Sequence, residues 1–315
     1  MNIVIMESLG ISQEELNAHK KPFEQMGCTF RCYEKTNDIP KLIEQTKDAE
    51  AMILANMPLP AEVINACPNL KFIDIAFTGV DHVAMDAVRA RNIVVSNASG
   101  YSNQSVAELG VGMVLALLRN IPQVEKRCRD GMTKDGLVGY ELKGKTVGII
   151  GLGKIGRKSA ELYNAFGCRI LANSRSVHAD CPDYIQQVSR EELLKQSDIV
   201  VLHCPLNEST RGMINSVALG MMKKTALLVN LARGPVVVAK DLMDALNNDV
   251  IAGAGIDVFD REPPLDADEP LLNAKNTIVT PHIAFATKES MSLRAKIVFE
   301  NLKAWMEGNP INIVK

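Results

Sequence analysis

The feature that most constrains this chain is an alternation. Over the first hundred residues, short β-type runs ("NIVIM", "CTFRCY", "AMILAN", "KFIDIAF" and "NIVVSN") are separated by helical segments such as "SQEELNAHKKPFEQM" and "LPAEVINAC". A strand followed by a helix and then another strand makes a crossover, so the strands run parallel and helices cover both faces of the sheet. A second and cleaner series begins with "KTVGIIG" and continues through "KIGRKSAELYNAF", "CRILAN", "REELLKQ", "DIVVLHC", "TALLVNLA" and "VIAGAGIDV". At 315 residues the chain is too long for one ordinary core. The two series therefore predict an α/β protein of two doubly wound parallel-sheet domains.

Between the series, "SVAE" has the spacing of a capping box. The Ser105 hydroxyl and the Glu108 carboxylate would each satisfy a free backbone N–H, opening an apolar helix over 105–119. The C-terminal "TKESMSLRAKIVFENLKAWMEG" is amphipathic and is expected to pack on a neighbouring domain, with the tail "PINIVK" closing against the first.

Composition excludes several classes of partner. The chain is 47% hydrophobic and 23% charged with a formal net charge of -2, and no basic block or acidic tail stands out. Neither a nucleic-acid nor an anionic-membrane partner is expected. Seven cysteines occur without CxxC pairs, the pattern of a reduced intracellular protein with no structural zinc and no bound metal. "MNIVIMESLG" reads as a first strand rather than a leader, and the most apolar run, "VGMVLALL", falls short of the roughly 20 residues a bilayer span needs. The expected location is the cytoplasm.

The second series opens on "GLGKIG" at 151–156. Alone the GxGxxG spacing is weak, but here it follows a buried strand and starts a helix. Gly151 then makes the tight turn, Gly153 lets a pyrophosphate approach, and Gly156 lets the helix pack on the strand. The N–H groups around Lys154 and Ile155, at the positive end of the helix dipole, face the phosphates. The other reading is a glycine turn with no ligand. The end of the next strand selects the cofactor: a carboxylate there accepts the ribose hydroxyls of NAD, whereas an arginine can hold the 2′-phosphate of NADP. Residues 173–175 read Asn173, Ser174, Arg175, with no acidic side chain. NADP is favoured over NAD on chemistry alone, the other reading being that Arg175 is a solvated surface charge.

Three stretches in the last third carry polar groups beside apolar runs: "NLARG" with Arg233, "GIDVFDREPP" with Asp257 and Glu262, and "VTPHIAFA" with His282. Singly, each has an ordinary structural reading as a surface cation, a loop carboxylate or a core histidine. Jointly they fit hydride transfer to a 2-keto acid. That reaction needs a cation to hold the carboxylate and polarise the carbonyl, and an acid to protonate the emerging alkoxide. Arginine suits the first role by its planar fork, and histidine suits the second if a carboxylate orients it.

Along nearly its whole length the chain resembles the D-isomer-specific 2-hydroxyacid dehydrogenase family. The resemblance rests on "GVDHVAMDA", "NASGYSNQSVAE", "KTVGIIGLGKIGR", "VLHCPLNESTRGMIN", "LLVNLARGPVVV", "GAGIDVFDREPP" and "TIVTPHIAFAT". It implies a Rossmann cofactor domain inserted into a flavodoxin-like substrate domain: 1–98 substrate-binding, 99–288 NAD(P)-binding, and 289–315 returning to the substrate domain. It implies that Arg233 binds and polarises the substrate, that His282 is the acid/base, and that Glu262 pairs with it. Asp257 would lie by the nicotinamide, Leu231 and Ala232 would line its site, and Cys204, Pro205 and Thr210 would border the cofactor. The backbone at Thr78, Gly79 and Val80 would reach the substrate carboxylate. Related members dimerise through the helix equivalent to 105–119, so a homodimer is implied. Many members carry aspartate where Ser174 stands, whereas NADP-preferring ones often show serine and arginine.

The implied activity is hydride transfer between NAD(P)H and a small 2-keto or D-2-hydroxy acid. Tyr101, Phe285 and Met306 are candidate wall residues, and Phe285 stands where several hydroxypyruvate and glyoxylate reductases carry tryptophan. A dinucleotide-sensing binding protein, like the related corepressors, is the alternative class; this chain shows no added peptide-docking extension. Formate dehydrogenases of the family have glutamine where Glu262 stands, which disfavours that activity.

Overall fold

The computed structural model describes residues 1–261 and 264–314. The chain divides into two compact units, Met1–Ser102 with Ala286–Lys315, and Asn103–Phe285.

The first unit holds β1 (Asn2–Ile5), α1 (Gln13–Gln25), β2 (Thr29–Cys32), α2 (Ile39–Thr46), β3 (Ala51–Leu54), α3 (Ala61–Asn65), β4 (Phe72–Ile75), α4 (Met85–Ala90) and β5 (Val94–Asn97). Its five strands are all parallel in the order β2-β1-β3-β4-β5, the flavodoxin-type winding. β3 and β4 are buried along their whole length, as strands covered on both faces must be, and they read as continuous apolar runs broken only by Asp74. The C-terminal helix of the chain, Lys288–Met306, belongs to this unit and begins at a Thr287–Ser290 capping box. The tail then pairs antiparallel with β5 through Ser96 and Ile313, with Val314 donating to Val95 at 2.9 Å.

The second unit contains α5 (Asn103–Leu118), α6 (Ile121–Arg129), β6 (Thr146–Ile150), α7 (Lys154–Ala165), β7 (Arg169–Asn173), β8 (Ile185–Gln187), α8 (Arg190–Gln196), β9 (Ile199–Leu202), α9 (Ser216–Met221), β10 (Leu227–Asn230), α10 (Ala239–Asn247), β11 (Gly253–Ile256) and β12 (Thr277–Val279); the C-terminal helix is accordingly α11. Its seven strands are all parallel in the order β12-β11-β10-β9-β6-β7-β8. The direction of winding reverses at β6, whose neighbours are β7 and β9, so the Rossmann switch point lies at the carboxyl ends of β6 and β9. One face of the sheet packs on α5 and α7 through Val106, Met113, Val147, Ile149 and Tyr163; the other packs on α8, α9 and α10 through Leu193, Leu219 and Leu242.

One expectation is corrected. α5 starts at Asn103, so Ser105 lies buried inside the first turn rather than at a cap, and Glu108 accepts from Gln104 at 2.6 Å instead of reaching back. The apolar length of α5 is largely accounted for inside its own unit, where Val106, Val111, Met113, Val114 and Leu118 are buried. α6 buries none of its residues. Among the described residues no single helix is long and apolar enough to cross a membrane, and no cluster of metal-ligating side chains occurs.

Candidate functional site

The glycine turn has the geometry of a phosphate cradle. Gly151 takes φ +101°, a backbone state that L side chains rarely adopt, and its N–H bonds Asn173 O at 2.8 Å. A Cβ on Gly156 would collide with the Gly151 carbonyl, so helix α7 closes on the turn only with glycine there. Gly153 differs: a Cβ would meet nothing within 4 Å, and no side chain caps the helix it begins. Open space in front of uncapped N–H groups, including those of Lys154 and Ile155, is what a pyrophosphate needs.

Around this turn lie the other residues singled out for the cofactor. Ser174 and Arg175 follow β7 directly; the Ser174 hydroxyl donates to Ser176 O at 2.6 Å and Arg175 is exposed. Cys204 is buried behind Gly151, and burial pushes its thiol up to about 11, so it is a packing residue and not a thiolate. The Thr210 hydroxyl donates to Pro205 O at 2.7 Å and accepts from Asn207 N at 2.8 Å, so it braces the loop that leaves β9.

The candidate catalytic residues leave neighbouring strands of the same sheet. Leu231 and Ala232 are buried just beyond β10, and Arg233, half-buried, donates to Ala232 O at 2.7 Å. Asn230, which was not singled out from sequence, clasps this turn: its Oδ1 accepts from Ala232 N at 3.1 Å and its Nδ2 donates to Arg233 O at 3.0 Å. Asp257, just beyond β11, is fully buried. One carboxylate oxygen accepts from the Thr280 hydroxyl at 2.6 Å and Ile283 N at 2.8 Å, and the other from Ala284 N at 2.9 Å. Burial raises its pKa, and these hydrogen bonds and the nearby His282 pull the other way. His282 sits at φ +57° with its N–H on Asp257 O at 2.8 Å, and its ring stands edge-on to Phe285 with centroids 5.3 Å apart. Asp257 N in turn donates to Asn230 O at 3.1 Å. The Arg233 turn and the His282 loop are thus tied through one Asn–Asp pair. Glu262 lies outside the described residues.

Thr78, Gly79 and Val80 form a loop of the first unit, after β4. Asn97 Nδ2 donates to Thr78 O at 2.8 Å, and the Thr78 hydroxyl is buried with no hydrogen-bond partner among the described residues, so the loop holds a polar atom still to be satisfied. Tyr101 is buried in the same unit, with the Arg294 guanidinium 5.8 Å from its ring centroid, and Met306 is half-buried at the end of α11.

Comparison with known proteins places this geometry in context. Residues 111–284 match the family described as D-isomer specific 2-hydroxyacid dehydrogenase, NAD binding domain. The whole chain is similar to a hydroxypyruvate reductase of Blautia hydrogenotrophica, at 33% identity over 100% of this chain and 99% of that one. A glyoxylate reductase of Korarchaeum cryptofilum is 37% identical over 87% and 85% of the two chains. Among solved structures, an acyclic imino acid reductase in complex with NADPH and D-Arg superposes with a TM-score of 0.91 at 27% identity, covering both chains completely.

Proposed function

The chain belongs to the D-isomer specific 2-hydroxyacid dehydrogenase family, and from that premise we propose that it reduces a small 2-keto acid to the D-2-hydroxy acid, with NADPH the favoured donor. The observation that carries this reading is the tie between Asn230 and Asp257, which links the Arg233 turn after β10 to the His282 loop after β12 across the intervening end of β11 in one sheet. The bound nicotinamide supplies the hydride. Arg233 offers two parallel N–H groups to the substrate carboxylate and carbonyl, drawing charge toward the oxygen as it develops. His282 carries a ring proton for that oxygen, and Glu262 is assigned, by the family pattern, to orient the ring. Asp257 holds the His282 loop, and its place in the family pattern is by the nicotinamide. Thr78, Gly79 and Val80 are assigned to the substrate carboxylate through their backbone N–H groups.

Three observations support the cofactor assignment. They are the open cradle at Gly153, the absence of a carboxylate at 173–175, and Arg175 exposed beside it. The finer preference for NADPH over NADH rests on the last two. For assembly we propose a homodimer whose face continues from α5 into the segment after it, where Ile121, Met132, Val138 and Tyr140 are 47%, 60%, 75% and 66% exposed. All seven thiols are free, which suits a reducing compartment, and we assign the protein to the cytoplasm.

The test is a kcat/KM panel of glyoxylate, hydroxypyruvate and pyruvate with NADPH and NADH, on the wild type and His282→Ala. The variant should lose about 10²–10⁴-fold in kcat while its affinity for the dinucleotide persists. A variant with near-normal kcat would remove His282 from the chemistry, and a wild type inert toward all three acids would refute the reading.

A further inference from the structure

At the carboxyl end of β7 a cavity of about 560 Å³ opens, a size typical of small-ligand sites. Leu194 and Met213 give it an apolar floor, and Asn173, Asn215 and Arg190 give it a polar rim. β7 and β8 are parallel neighbours in register, Ala172 opposite Gln187. Just beyond, Val188 N donates to Ala172 O and Asn173 Nδ2 donates to Val188 O, both at 2.9 Å. The chain therefore leaves the two strands side by side, joined at Asn173 and Val188. Two residues past Asn173 stands Arg175, and two residues past Val188 stands Arg190.

Both arginines are exposed, and neither makes a hydrogen bond or ion pair among the described residues. Cations on the neighbouring elements are engaged. Arg157 is held by Asp180 at 2.8 Å, Arg169 bonds Gln186 at 2.7 Å, and Lys195 bonds Glu191 at 2.6 Å. Glu191 also lines the cavity, and its pairing with Lys195 offsets the negative charge it brings there. Arg190 lines the cavity with its guanidinium unpaired among the described residues, and Arg175 follows two residues after the lining residue Asn173.

We propose that Arg190 is a second determinant of cofactor choice, closing with Arg175 on a phosphate at the 2′ position of an adenosine whose base lies over Leu194 and Met213. The inference rests on the NADPH reading above and goes beyond it, since Arg190 comes from a different strand end than the stretch that selects the cofactor in sequence. Two planar forks on one dianion make a tighter and more geometrically selective contact than one.

Binding of adenosine 2′,5′-bisphosphate and of adenosine 5′-monophosphate, measured by calorimetry on the full chain, tests this without turnover. Wild type, Arg190→Ala, Arg175→Ala and the double variant are compared. Arg190→Ala should weaken the bisphosphate about tenfold and the monophosphate less than about twofold, and the double variant should bind the two alike. If Arg190→Ala weakens both ligands equally, or neither, the proposal is overturned. In that case a loss of preference in Arg175→Ala alone leaves the NADPH reading standing. A wild type that binds both ligands equally overturns the NADPH reading and this proposal together.

Discussion

Lowering the pH should destabilise the second unit through His203, which lies immediately behind the phosphate turn. Its Nε2 is 2.7 Å from the hydroxyl of Ser159, itself 1% exposed on α7, and its Nδ1 is sealed from solvent with no hydrogen-bond partner. Protonation makes both ring nitrogens donors and leaves one buried N–H with no acceptor, so burial lowers the pKa from 6.5 to about 4. The folded state then binds fewer protons than the unfolded chain between those two values. Stability from the neutral ring is complete above about pH 6.5 and is lost as pH falls toward 4. At about 1.4 kcal/mol for each tenfold in proton affinity, the full loss is about 3 kcal/mol below both values, and about 2 kcal/mol of it is spent by pH 5.

The raw wild-type curve mixes this with opposing contributions. The Asp74 and Asp257 carboxyls are raised by burial and gain stability as pH falls. Comparison with His203→Gln, which keeps a polar partner for Ser159 but does not titrate, cancels them. Urea denaturation at fixed ionic strength between pH 7.5 and 5.0 should show the wild type's advantage over the variant shrinking by about 2 kcal/mol. An advantage constant to within about 0.5 kcal/mol would refute a neutral ring held by its sealed Nδ1.

Two further outcomes follow from the same geometry. Asn230→Ala removes both clasps on the Arg233 turn and leaves the Ala232 N–H unpaired in a buried setting, a cost of about 1–3 kcal/mol; thermal unfolding should register it, and kcat/KM for the keto acid should fall while adenosine 2′,5′-bisphosphate binds as before. Val138→Asp with Tyr140→Asp places charge on the exposed apolar segment after α5, so light scattering should show a monomer where the wild type is a dimer; an unchanged mass would relocate the interface.

Much of the fold was legible because parallel strands buried on both faces advertise themselves. "KTVGIIG" and "DIVVLHC" became β6 and β9, and the glycine loop between β6 and α7 announced the switch point. The outer strands β8 and β12 were not assigned, since three residues at a sheet edge carry no periodicity. The capping box at Ser105 failed for a related reason. The spacing S-x-x-E recurs by chance, and the helix begins two residues earlier, where its first turn packs as part of the core.

The site was legible as a set of residues and illegible as an arrangement. Arg233, Asp257 and His282 stood out as polar groups in apolar stretches, but no pattern of side chains reveals that residue 282 takes a left-handed backbone. For a histidine that conformation costs about 1–2 kcal/mol, and it persists only if the surroundings hold it. Asp257 is what holds it. Its carboxylate accepts from the two N–H groups that follow His282, and its carbonyl accepts from the N–H of His282 itself. A carboxylate with both oxygens engaged in this way acts chiefly as the clamp of the loop. The strain at His282 and the buried charge at Asp257 are then two halves of one device, each stabilised by the other. It aims the ring from the loop after β12, with Asp257 at the end of β11 standing between that loop and the Arg233 turn, and Asn230, joined to Asp257 and to that turn, sets the register between acid and cation.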